Sequence, residues 1–224
     1  MDEPPGRMPP APLETAVGTL RRDGSTVRLR EATLADAPIL DARDADPAMG
    51  GEFNDLGPRP GPRRPVADLL ADGGRLVGPE RGRLLVERLR DGQVIGDVSW
   101  HAVMYGPNER SRALNVGIAL YPEARGHGHG AEAQRLLAEL LFAHFPIERV
   151  EAGTDIDNIA EQRSLEKAGF TREGVLRRSQ FRAGSHHDLV GYSILRAEVG
   201  PPGAEIGPPD EVLTPRATTP RDAP

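Results

Sequence analysis

The sequence predicts one α/β domain built on a mixed, mainly antiparallel sheet with flanking helices. Two apolar segments flank Asp91-Gly92, a strong hairpin signal. Beyond Gly130 the apolar residues switch to helical spacing, and strand-like and helix-like segments then alternate up to a closing hairpin. A chain of 224 residues can bury one sizeable core. The hydrophobic share of 38% is low and the 26 Gly and 22 Pro are many, so part of the chain is expected to stay unpacked. Residues 1–24 are expected to form a disordered or irregular tail, 25–197 the domain, and 198–224 a disordered Pro-rich tail.

Thr26 to Glu31 alternates apolar and polar, as a half-buried strand would, and Thr33 and Asp36 are caps for a short helix through Ala42. Asp46 to Gly82 is rich in Gly, Pro and Arg, with one helical turn around Val66 to Ala71; a loop this long is usually functional or mobile. Arg83 to Leu89 and Val94 to Tyr105 form the hairpin, and Ala113 to Leu120 is a further strand that Pro122 stops. Gly130 to His144 carries one apolar stripe of Leu136, Leu137, Leu140, Leu141 and Phe145. Arg149 to Thr154 reads as a strand, Asn158 to Ala168 as a helix closed by Gly169, and Thr171 to Phe181 with His187 to Leu195 as the last hairpin.

Composition removes several classes of function. The chain has no cysteine, hence no disulfide, thiolate metal site or cysteine nucleophile. A formal net charge of -6 argues against nucleic acid as a partner. No apolar run is long enough to span a bilayer and the first residues lack a signal peptide's apolar stretch, so no membrane partner and a cytoplasmic location are expected. His127 and His129, read with His186 and His187, are weak evidence for a metal, and none is expected.

The segment Arg125-Gly126-His127-Gly128-His129-Gly130 joins a strand to an amphipathic helix. Glycines there let backbone approach a ligand, and N–H groups at a helix start form an anion nest reinforced by the helix dipole. Arg125 adds a permanent charge. A Walker loop is excluded because the only lysine is Lys167, and the glycine spacing departs from G-x-G-x-x-G by one residue. A flexible surface turn is the bland alternative for such a hexapeptide.

Context narrows the choice. Arg125, Gly128 and Gly130 in the spacing R-x-x-G-x-G resemble the acyl-CoA loop of the GNAT superfamily of N-acetyltransferases. Asn158, Ala160 and Leu165-Glu166-Lys167-Ala168-Gly169-Phe170 resemble its second coenzyme-binding helix. Glu132-Ala133 and the ending Glu173-Gly174-Val175-Leu176-Arg177, His187-Asp188 and Tyr192-Ser193 are similar to the ribosomal-protein alanine N-acetyltransferase branch. The resemblance covers about Thr26 to Arg196. It implies a sheet splayed between the fourth and fifth strands, with acetyl-CoA as co-substrate. Ile118, Ala119 and Leu120 would hold the pantetheine arm through their backbone, Arg125 to Gly130 the pyrophosphate, and Asn158 would approach the pantetheine. One strand N–H would face the thioester oxygen, where a fixed donor favours the transition state over the ground state.

The catalytic pattern departs from the family's. Asn115 stands where members often place a basic glutamate, and cannot take a proton. Asp97 and His101 on the preceding strand, and Glu52 in the long loop, are substitutes; a solvated strand position is the plainer account of His101. Leu165 stands at the position of a tyrosine acid, and Ser164 beside it is a weak replacement. Trp100, Phe53 and Tyr105 either line an acceptor pocket or belong to the core. The implied reaction is acetyl transfer to a primary amine, on a small molecule or a protein N-terminus, by direct attack in a ternary complex. A catalytically degenerate acyl-CoA-binding module is the alternative, and a homodimer is compatible with either.

Overall fold

The computed structural model describes residues 19–45, 51–54 and 64–199. Eight strands form one sheet in the order β1-β2-β3-β4-β5-β6-β8-β7. They are β1 Arg21–Asp23, β2 Val27–Arg30, β3 Arg81–Arg88, β4 Gln93–Met104, β5 Arg112–Leu120, β6 Arg149–Asp155, β7 Thr171–Arg182 and β8 Ser185–Leu195. Neighbouring strands are antiparallel except β5 and β6, which run parallel. The α-helices among the described residues are α1 Ala37–Ala45, α2 Val66–Ala71, α3 His129–His144 and α4 Ile159–Lys167.

One expected boundary moves. Residues 19–23 belong to the domain and not to an N-terminal tail: Leu20 is fully buried, and Arg21–Asp23 pair with Arg30–Arg28. Three polar residues on an edge strand carry no alternation to read, and among the described residues Leu20 is their apolar anchor. The gap expected between the fourth and fifth strands therefore falls between the fifth and sixth. The remainder of the two tails lies outside the described residues, as do 46–50 and 55–63 of the long loop.

Alternation along β3 shows how the two faces are covered. Leu84 and Val86 point into the main core with the leucine stripe of α3, whereas Leu85 between them packs with Ala37, Leu40 and Val66 of α1 and α2. Leu136, Leu137, Leu140, Leu141 and Phe145 are each at most 5% exposed, as their spacing predicts. Burying one such side chain contributes about 1.5–3 kcal/mol, so α3 is firmly seated and holds the loop before it in place.

The parallel pairing of β5 and β6 is brief: Leu114↔Val150, Asn115↔Glu151 and Val116↔Ala152. Beyond it β5 stays on β4 up to Leu120 and β6 stays on β8 up to Asp155, so a wedge opens between them. Register shows which backbone groups face that wedge. Tyr121 N–H donates to the Ile95 carbonyl at 2.9 Å, just past the Leu120↔Gly96 pair, which makes that pair a non-hydrogen-bonded one. Ala119 then spends its N–H and C=O on Asp97 of β4, and those of Ile118 and Leu120 point into the wedge.

Candidate active site

The loop expected to bind phosphate is built as a mouth to this wedge. Gly126 has φ 78° and Gly128 φ 83°, the left-handed region, where an ordinary L-residue costs about 1–2 kcal/mol. A Cβ at either position would meet nothing within 4 Å, so glycine is needed there for conformation and not for space. Gly128 is the N-cap of α3 and supplies no side-chain cap. The helix ladder starts with Glu132 N–H donating to Gly128 O at 3.3 Å, which leaves the first-turn N–H groups of His129, Gly130 and Ala131 pointing outward without an intrahelical acceptor. At Gly130 the need is space: a Cβ would lie 3.1 Å from Ser164 Oγ, where α3 passes α4.

These donors open on a cleft of about 720 Å³. Its walls include Ile118, Ala119 and Leu120 on one side and Asn158, Glu161 and Ser164 of α4 on the other. Arg125, Arg163 and Lys167 make its rim cationic. Arg125 does not swing free: its Nε donates to the Leu120 carbonyl at 3.0 Å, so its charge sits at the junction of loop and wedge. A second hollow of about 320 Å³ on the outer side of the loop is lined by His127, Arg135 and Lys167. The His127 and His129 rings stack 5.9 Å apart, and His129 Nδ1 lies 3.2 Å from Thr26 Oγ1. Burial, helped by the charge of His127, lowers the His129 pKa. Glu132 anchors the loop from behind, accepting from Ser25 Oγ at 2.7 Å and from the Thr26 side chain.

On α4, Asn158 is the N-cap and its Oδ1 accepts from Glu161 N–H at 3.2 Å. Ser164 Oγ donates to Gln134 Oε1 at 2.9 Å, and the Gln134 amide donates to the Glu161 carboxyl. Gln134 itself is only 2% exposed on α3. Burial pushes the Glu161 pKa up to about 7, against the lowering effect of Gln134. Glu161 carries no signal in the sequence; only the crossing of α3 and α4, through Gln134, makes it half-buried against the cleft.

The catalytic candidates fare differently. Asp97 is 6% exposed and held by Arg83, at 3.0 and 2.6 Å, and by Arg43. A carboxylate whose lone pairs serve two guanidiniums is a poor proton acceptor, so Asp97 is better read as a structural ion pair fixing α1 to the sheet. His101 is exposed and pairs across β4–β5 with Asn115, which pairs in turn with Glu151 of β6. Glu151, 8% exposed, accepts from Tyr105 Oη at 2.6 Å, Arg149 Nε at 3.0 Å and Asn115 Nδ2 at 3.4 Å. A carboxylate thus stands beside Asn115 on the adjoining strand, brought there by a parallel register that no local pattern encodes. Of the aromatics, Trp100 is a core residue, its indole donating to the Gly78 carbonyl at 3.1 Å, whereas Phe53 reaches the cleft, as does the acid Glu52, and Tyr105 is exposed. Leu165 is fully buried. The histidine pairs have different partners, His187 bonding Arg182 and Ser185 and His186 packing on Phe181. No group of three or more metal-ligating side chains occurs among the described residues.

The chain and its fold are similar to known proteins. The chain is 30% identical over 111 residues to the uncharacterized N-acetyltransferase YoaA of Bacillus subtilis (strain 168), a match covering 50% of this chain and 60% of that one. It spans 58–60% of the length of the curated relatives it matches. The fold is shared with solved structures, among them two acetyltransferases. Spermidine N-acetyltransferase from Vibrio cholerae, in complex with CoA and spermine, superposes with a TM-score of 0.63 at 18% identity, over 79% of this chain and 99% of that one. Ribosomal-protein-S5-alanine acetyltransferase from Vibrio fischeri gives 0.59 at 17%, over 81% and 100%. Residues 26–171 match the model of the acetyltransferase (GNAT) domain, and the chain belongs to that family.

Proposed function

We infer that this protein transfers acetyl from acetyl-CoA to a primary amine by direct attack in a ternary complex. The observation that carries this reading is the continuity of one cleft from the uncapped start of α3 to the strand wedge. The pyrophosphate lies on the N–H groups of residues 128–131, where dipole and orphan donors favour an anion. Arg135 and Lys167, around the outer hollow, suit the remaining phosphate of the coenzyme. The pantetheine arm runs inward along Leu120 and Ile118, whose backbone groups replace the missing strand, and the Ile118 N–H faces the thioester oxygen.

The amine arrives from the opposite face, where His101, Asn115 and Glu151 stand in one row. It must lose a proton to attack, and His101, directly or through water, is placed to take it, while Glu151, held by Arg149, Tyr105 and Asn115, supplies negative charge beside it. Of the sequence candidates, His101 and Asn115 stay in the acceptor site. Asp97 leaves it, and Ser164 becomes part of the coenzyme wall. The acceptor is a small amine or a protein N-terminus, the two classes represented among the structural relatives.

An acceptor panel of polyamines, amino sugars and peptides with free N-termini, read by release of the coenzyme thiol, tests this. Turnover on one class and loss of it in His101→Ala or Glu151→Gln support the assignment. Leu165, buried at the position of the tyrosine acid that many members of the superfamily carry, favours a second reading, an acyl-CoA-binding module without turnover. Tight coenzyme binding with no thiol release on any acceptor establishes that reading instead.

A further inference from the structure

We propose that Glu161 is the general acid that protonates the sulfur of the departing coenzyme. The proposal rests on the transferase reading above and adds the residue that Leu165 and Ser164 do not supply. Leu165 is sealed in the core, and Ser164 has its hydroxyl proton committed to Gln134 Oε1 at 2.9 Å. Glu161 lies one turn before Leu165 on the same side of α4 and lines the cleft together with Ile118.

Its depth is set by α3. Gly130 marks the mouth, where an added Cβ would be 3.1 Å from Ser164 and 3.9 Å from Ile118 Cδ1. Gln134, which holds Glu161, is one turn further in on the same helix face, about 6 Å deeper by the rise of an α-helix. A pantetheine arm passing Leu120 and then Ile118 runs toward the closed point of the wedge at Val116↔Ala152, along the cleft that Glu161 lines together with Ile118.

The cleft also favours the protonated form of the carboxyl. Its partner on α3 is the neutral amide of Gln134. The other charged groups around the cleft are Arg163 and Lys167 of α4, Arg125 of the loop and Glu52 of the 51–54 segment, and Asp155 at the end of β6 is bound to Arg182. None of these is hydrogen-bonded to Glu161, and burial raises its pKa to about 7. A group that holds its proton near neutrality and returns it readily suits acid catalysis.

The step balances. The amine nitrogen bonds to the thioester carbon, the carbon–sulfur bond breaks, and the electron pair leaving on sulfur takes the Glu161 proton. The products are the amide, the coenzyme thiol and a Glu161 carboxylate. The surplus proton on nitrogen passes to solvent, from which the carboxylate regains one.

The test pairs kinetics with titration. In Glu161→Gln, kcat should fall about 10²-fold while the Kd for acetyl-CoA stays within roughly threefold, because the amide keeps the contact to Gln134 and loses only the transferable proton. In the wild type kcat should decline as pH rises past about 7, and the variant should lack that limb. A variant with wild-type kcat and an intact alkaline limb overturns the acid alone, whereas a wild-type protein that releases no thiol on any acceptor overturns the transferase reading. Carbon-13 NMR of the Glu161 carboxyl in the wild-type protein decides independently of turnover. Titration near neutrality supports the acid, and titration like an ordinary glutamate overturns it.

Discussion

Gly128 meets two demands at once: it turns the chain through a left-handed conformation and leaves the first turn of α3 without a side-chain cap. A β-branched residue there pays the left-handed penalty or rotates the N–H groups away from the cleft. Gly128→Val should therefore weaken acetyl-CoA binding at least tenfold by calorimetry, with little change in far-UV circular dichroism. An unchanged affinity removes the loop from the coenzyme site. Arg182 poses a different problem. Its guanidinium bonds Asp155 at 2.5 Å with side-chain exposures of 9% and 1%, and also donates to the Glu52 carbonyl at 3.0 Å. Burial works to raise the Asp155 pKa, but the Asp157 N–H, Arg182 and His187 together hold it below the ordinary value. With the folded value depressed, the carboxylate stabilises the fold above its unfolded pKa of about 4, and that contribution is lost as pH falls through the folded value. Arg182→Met leaves a buried charge uncompensated and should cost about 3–5 kcal/mol in urea unfolding at pH 7. Asp155→Asn added to it should recover part of that loss.

At the scale of elements, periodicity revealed what it physically controls. The stripe of α3, the turn at Val66–Ala71 and the Asp91-Gly92 hairpin all stand where the spacing put them, because each depends on neighbours in the chain. Strand β1 was not legible, since its pairing partner and not its own pattern makes it a strand. The site divides the same way. The glycine loop and Asn158 were readable as local motifs, whereas Glu151 beside Asn115, Glu161 beneath Gln134 and the capture of Asp97 by two arginines arise from registers and crossings between distant segments. Register also refines the expectation for residues 118–120, of which two and not three offer backbone to a ligand. In an amide-resolved exchange or NMR experiment, acetyl-CoA should protect the Ile118 and Leu120 N–H groups and leave Ala119 and Tyr121, already bonded to β4, nearly unaffected. Protection of Ala119 instead would invert the strand's facing and displace the arm.

For the molecule as a whole, the wedge is a seam. On one side stand β1 to β5 with α3; on the other, β6 to β8 with α4. Across it run three parallel residue pairs, the Gln134 bonds to Glu161 and Ser164, and the Arg196 guanidinium donating to the carbonyls of Phe142, Phe145 and Ile147 at 2.8, 2.7 and 2.9 Å. A coenzyme lying along Ile118 and Leu120 on one side and α4 on the other would join both halves, and its binding would then require both to be in place. Mass action then sets its effect: at a hundredfold excess over Kd the folded state gains about 2.7 kcal/mol, or roughly 5–11 °C in Tm for a domain of this size. ATP carries phosphates for the loop but no arm for the wedge, so it reaches only one side of the seam. At equal concentration its Tm shift should be well under half that of coenzyme A, measured by scanning fluorimetry at constant ionic strength. Equal shifts would mean that the loop alone carries the binding and that the wedge holds no arm.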